Sequence, residues 1–231
     1  MIAHKKEFTG GLLLFIAFWI VFAIGMSPIF GGGDNILNYM DNLYNTISKK
    51  SAYYIPTMQE KIKPFEGRQV DLTIKAEDGA QAERTARLFR IDEAQTTVSV
   101  EGENVKVSGD LGAILADVIA DADAMFNNNG EKISAKYGYD AKQALYDLWN
   151  AMSAAEKNLN KQKMFKEAKI VNQVQAKAVE PAYNYYGIQA EDIKSKLGIV
   201  IASLAGYVLY TLWFGFSILF MFEGWGLKLE H

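Results

Sequence analysis

Asp117 and Asp121 are the side chains whose spacing comes nearest to chemistry in this 231-residue chain. Four positions apart on a helix they share a face, where two carboxylates can hold a hard cation. Asp123 stands beside them. The Asn-Asn-Asn-Gly turn after this helix does not meet calcium-loop spacing, because Gly130 would demand acids where Met125 and Asn127 stand. A solvated acidic face is the plainer reading of the pair. Nothing places a second acid opposite them in the shifted environment that paired-carboxylate catalysis requires.

Histidine occurs only as His4 and His231, and cysteine is absent. Thiolate nucleophiles, disulfides, cysteine metal sites, bis-histidine haem and a histidine general base in the middle of the chain are therefore excluded. Gly31-Gly32-Gly33 is not a phosphate loop, since no strand precedes it and no Lys-Ser/Thr comes after it. It reads as a hinge, as does Gly187. A net charge of −3 supplies no basic face for nucleic acid. Lys157, Lys161, Lys163, Lys166 and Lys169, interleaved with Glu156 and Glu167, read as a mixed solvated face, with an acidic partner as the alternative. No catalytic residue, metal ligand, cofactor, nucleotide or nucleic acid is expected.

The elements that would position these residues are organised around residues 197–222, which carry no charged residue, His, Asn or Gln. A bilayer core needs about 20 apolar residues of helix, so this run spans with some tilt. Residues 12–30 form a second uncharged run after a lead, residues 1–11, that contains Lys5 and Lys6. A cleaved signal peptide is the rival reading of that run, but its apolar stretch is longer than such segments usually carry. Two transmembrane helices are expected to flank the rest of the chain.

Residues 34–67 open with an amphipathic helix that Asp34 can cap, and continue as a connector. The helix lies in the headgroup layer or packs on protein, and its amide-rich polar face favours packing. Residues 68–129 read as strand, helix, strand, strand, helix, a small α+β sandwich of β-α-β-β-α order. Residues 130–196 add a helical hairpin that breaks near residues 158–162, and a membrane-proximal helix that Pro181 opens. Residues 223–231 form a tail whose Leu229-Glu230-His231 resembles a tag scar.

Lys5, Lys6 and Lys228 outside the spans, against Lys194 and Lys196 before the second, favour cytoplasmic termini. The expected placement is a two-pass protein of the inner (plasma) membrane with a periplasmic, extracytoplasmic middle. Tyr53, Tyr54, Tyr183, Tyr185 and Tyr186 would then lie near the outer headgroups and Trp225 at the inner boundary. Gly198, Ala202 and Gly206 make a small-residue stripe of the kind that lets membrane helices approach closely. Neither span has an ionisable residue, which counts against a transporter.

The reading these features support is a non-catalytic, membrane-anchored assembly or docking protein. Its partners would be membrane lipid and either other membrane subunits or itself. An extracytoplasmic sensor that signals through a partner, or a homo-oligomeric pore, are the alternatives.

Overall fold

A computed structural model describes residues 2–30, 32–91 and 94–227. Gly31 of the expected hinge, Lys228 and the Leu229-Glu230-His231 end lie outside them. In chain order the elements are helices α1 (Lys5–Gly25), α2 (Ile36–Lys49) and α3 (Ile55–Ile62), then strand β1 (Gln69–Lys75) and helix α4 (Gly79–Leu88). Strands β2 (Thr97–Glu101) and β3 (Asn104–Asp110) come next, then helices α5 (Leu111–Phe126), α6 (Gly130–Tyr137) and α7 (Ala141–Lys161). Helix α8 (Phe165–Val174), a π-helical turn (Gln175–Val179), α9 (Glu180–Tyr185) and α10 (Ile193–Trp225) complete the chain.

Two units result: Met1–Ser48 together with Ala190–His231, and Lys49–Gln189. In the first, α1 and α10 are long and apolar enough to cross a membrane. A backbone in hydrocarbon must satisfy its own polar groups, which a helix does within one segment. Helix α1 has 21 residues, about 31 Å at the usual rise. It begins at Lys5 and ends at Gly25 rather than covering residues 12–30. Thr9, Gly10 and Gly11 do not break it, whereas Pro28 bars its predecessor from helical geometry.

Helix α10 runs past both ends of residues 197–222. The Asp192 carboxylate accepts from the Lys194 amide at 2.9 Å to open it, and Gly226, at φ +91°, closes it. Asn35 caps α2, accepting from the Asn38 amide at 2.9 Å; Asp34 does not. The Asp34 carbonyl instead accepts from the Phe30 amide at 3.0 Å, closing a tight turn in which Gly32 and Gly33 hold positive φ. Helix α2 is tied to α10: the Tyr44 and Ser203 hydroxyls lie 2.6 Å apart, and the Glu191 amide donates to the Thr46 carbonyl at 2.9 Å.

In the second unit a three-stranded sheet has the order β1-β3-β2, antiparallel at both pairings. Strands β1 and β2 are therefore parallel, with β3 between them, as the split β-α-β expectation requires. Alternation sends Val70, Leu72 and Ile74 of β1 and Val105 and Val107 of β3 into the core. Helix α7 covers the free edge of β1. Asn158 Oδ1 accepts from the Thr73 amide at 3.3 Å, and Gln162 Nε2 donates to the Asp71 carbonyl at 2.7 Å. These two bonds take up edge groups that could otherwise pair with another strand.

Sheet and helices share one hydrophobic core. It runs from Ile55 and Met58 of α3 through Leu115 and Ile119 of α5 to Leu145 and Leu148 of α7 and Val171 of α8. The expected boundary between sandwich and hairpin near residue 130 is crossed by this core. Helix α6, which contributes Ile133 and Tyr137, is an element that periodicity does not signal. Helix α5 begins where Asp110 accepts from the Ala113 amide at 3.1 Å and from the Gly67 amide at 2.5 Å.

Beside that cap, a side chain on Gly112 would meet the backbone of Glu66 at 2.6 Å. Gly112→Ala must push this turn away, and destabilisation by about 1–3 kcal/mol is expected. Thermal or denaturant unfolding of the detergent-solubilised protein measures it.

Candidate functional site

The helix contact that sequence spacing looked for lies elsewhere on α10. Helix α1 packs antiparallel on α10 along residues spaced alternately three and four apart: Phe8, Gly11, Phe15 and Phe18 on one side, Tyr210, Phe214, Ser217, Met221 and Gly224 on the other. That spacing is the knobs-into-holes seam of helix pairs. At Gly11 an added Cβ would stand 2.7 Å from the Met221 amide and 2.8 Å from the Ser217 carbonyl, and at Gly224 it would enter Phe8. Phe18 is buried, with ring centroids 4.4 Å from Tyr210 and 4.8 Å from Phe214. The Trp213 indole donates to the Leu14 carbonyl at 3.0 Å, and the His4 amide donates to the Gly224 carbonyl at 2.9 Å.

Gly198, Ala202 and Gly206 are outside this seam. A side chain on Gly198 or Gly206 would meet none of the described residues within 4 Å. Next to them a shallow apolar concavity is lined by Ile201, Leu204, Ala205, Val208 and Leu209. Trp225 stacks edge-on against Phe8 at 6.0 Å.

The tyrosines expected at headgroup level are sorted by the fold. Tyr53 donates to Asp123 Oδ1 at 2.7 Å and packs on Phe126, which Tyr185 also touches. The ring of Tyr186 rests where a side chain on Gly130 would go. Tyr54 and Tyr183 instead lie under the ammonium groups of Lys177 and Lys142.

Between Asp117 and Asp121, the place a cation would take holds the ammonium of Lys136. Its Nζ lies 2.8 Å from both Asp117 oxygens and 2.9 and 3.0 Å from those of Asp121. Tyr137 donates its hydroxyl to Asp121 as well. Burial raises the Asp121 carboxyl above the usual carboxylate value, although Tyr137 and Lys136 pull it down. Burial alone would lower Lys136, but hydrogen bonds and charge from the two aspartates together raise it. Tyr137 is raised by burial and by the Asp121 charge. The signal for this node was Lys136-Tyr137 on α6, which only a folded α5–α6 pair brings to the aspartates.

A second buried carboxylate, Asp147, accepts from Arg84 Nε at 2.7 Å and Gln143 Nε2 at 3.0 Å. Tyr139, close enough to Asp147 to feel its charge, is raised by burial first. Among the described residues, the Asn150 amide nitrogen is buried without a hydrogen-bond partner.

Gly187, read as a hinge, is held. At φ +84° its amide donates to Asn128 Oδ1 at 2.8 Å, while Asn128 Nδ2 donates to the Ile188 carbonyl at 3.0 Å. Into the same node comes Lys49, 4% exposed, which donates to the Ile188 carbonyl at 2.6 Å, the Tyr185 carbonyl at 3.1 Å and Asn128 Oδ1 at 3.3 Å. Its ammonium also stands 5.0 Å from the Phe126 ring centroid. Burial lowers the Lys49 pKa. No sequence spacing signals this node, because two of its three acceptors are main-chain carbonyls.

In sequence, two helices long and apolar enough to cross a membrane flank a domain with a three-stranded sheet and many helices. Compared with known proteins, the chain matches no protein-family model, no curated protein and no solved structure.

Lys49→Met removes the charged donor shared by the Ile188 and Tyr185 carbonyls and Asn128 Oδ1, each of which keeps a second donor, and a loss of about 1–3 kcal/mol is expected. Hydrogen exchange at the Gly187 amide, faster in the variant, checks it. Lys136 and Tyr137 have folded pKa values above their ordinary 10.5 and 10.0. The folded domain therefore binds more protons than the unfolded chain at alkaline pH. Their contribution is complete below those ordinary values and is lost as pH rises through the folded ones. Thermal midpoints should fall steeply above about pH 10, and the Lys136→Met, Tyr137→Phe double variant should flatten that slope.

Proposed function

We propose that this is a non-catalytic, membrane-anchored assembly or docking protein, an accessory subunit of a larger membrane complex or a homo-oligomer, with its middle domain outside the cytoplasm. The observation that carries the reading is the unused face of α10. Anchoring is met by the α1–α10 seam, which takes up Gly11, Phe18, Ser217 and Gly224. The stripe of Gly198, Ala202 and Gly206 and the apolar concavity beside it remain free for another membrane helix. The Lys5 and Lys6 lead supports cytoplasmic termini in an inner membrane.

Gly206→Leu has open space and should leave helix content and thermal unfolding unchanged while reducing the size of the assembly in mild detergent. Gly11→Leu, in contrast, should lower thermal stability. Size measured by multi-angle light scattering decides the matter. A wild-type protein that is a monodisperse monomer without a copurifying partner, or a Gly206→Leu assembly of unchanged size, overturns the proposal.

A further inference from the structure

The π-helical turn and α9 carry an outward ridge, Ala176, Lys177, Glu180 and Asn184, all exposed. On one flank, Lys177 Nζ lies 4.9 Å from the centroid of the Tyr54 ring, which is 39% exposed. On the other, Lys142 Nζ lies 5.1 Å from the Tyr183 centroid, and the Tyr183 ring meets Tyr146 of α7 at 6.3 Å. Tyr146 and Trp149 are exposed one helical turn apart on α7. The Gln175 side chain fastens the turn to α7 by donating to the Trp149 carbonyl at 2.9 Å. Four aromatic rings and two ammonium groups are thus fixed on one surface of the domain, with Glu180 the acid of the ridge.

We infer that this surface docks on anionic phospholipid headgroups. The chemistry is that of an interfacial anchor: amphipathic Tyr and Trp rings settle at headgroup level, and lysine stems lie along apolar surface while their ammonium groups reach phosphate. A lysine lying over a tyrosine ring leaves its N–H groups free to face an anionic oxygen on the open side. Tyr54 comes soon after α2 in sequence and Tyr183 shortly precedes α10, and α7 adds Lys142, Tyr146 and Trp149 from the middle of the domain. The inference rests on the membrane-anchored part of the proposed function and is independent of whether α10 recruits another helix.

The chain has no cysteine, so Ala176→Cys carries a single spin label on the ridge. The full-length labelled protein is placed in nanodiscs of phosphatidylcholine, with and without phosphatidylglycerol, and collision with an aqueous nickel reagent is measured. Each lysine at an anionic surface is worth roughly a five-fold shift in docking. The label should lose nickel accessibility in the anionic discs. High salt, or Lys142→Glu with Lys177→Glu, should restore it while thermal unfolding stays unchanged. Equal accessibility in both lipids overturns the inference. Protection that persists in neutral detergent micelles also overturns it, because a protein partner or a second copy then covers the ridge. A chain that does not insert into discs at all overturns the anchored reading, and this inference with it.

Discussion

A single buried ammonium fixes where the polypeptide enters and leaves its domain. Lys49 begins the Lys49–Gln189 unit, and Ile188 nearly ends it. The charge of Lys49 is met by neutral oxygens, two main-chain carbonyls and one side-chain amide, together with the face of Phe126. Taking an ammonium out of water costs several kcal/mol, and only a full set of oriented acceptors recovers it. The two carbonyls belong to the stretch that leads out of the domain, so the cost is offset in full only when entry and exit lie side by side. Asn128 completes the arrangement because its left-handed backbone, unusual outside glycine but tolerated by asparagine, turns its amide toward both Gly187 and Ile188.

The apolar helices obey a different constraint. Hydrocarbon gives no hydrophobic drive between helices, so in a membrane a pair such as α1 and α10 would hold together by close packing and by the few polar groups that can reach across. Glycine at Gly11 and Gly224 lets backbone approach backbone, and the aromatic block around Phe18 fills the wider part of the seam. Two stretches of α10 carry small residues: one lies in the contact with α1, and at the other a side chain on Gly198 or Gly206 would meet none of the described residues within 4 Å. That division gives the assembly reading its physical content.

Side chains that looked like chemistry became structure. Asp117 and Asp121 are closed by Lys136, and Asp147 is held by Arg84 and Gln143. Each buried carboxylate has charged or amide donors, as a low-dielectric interior demands. The tyrosines divide in the same way. Tyr53 and Tyr185 pack on Phe126 and Tyr186 beside Gly130, while Tyr54 and the half-buried Tyr183 lie beneath lysines. Identical residue types in one short segment thus acquire different roles, depending on which neighbours the fold brings to them.

By itself the sequence determined the features that local periodicity carries: two apolar runs long enough to cross a membrane, an alternating β1, the β2–β3 hairpin, and the helix stripes of α5, α7 and α8. Each of those signals is a property of residues a few positions apart. Tertiary structure alone decided which glycines meet a partner helix, that Asn158 and Gln162 seal the edge of β1, that α6 delivers a cation to the aspartates of α5, and that Lys49 closes on Ile188. Those contacts join residues far apart in the chain, and several depend on main-chain groups, which nearly every sequence position carries alike and none announces.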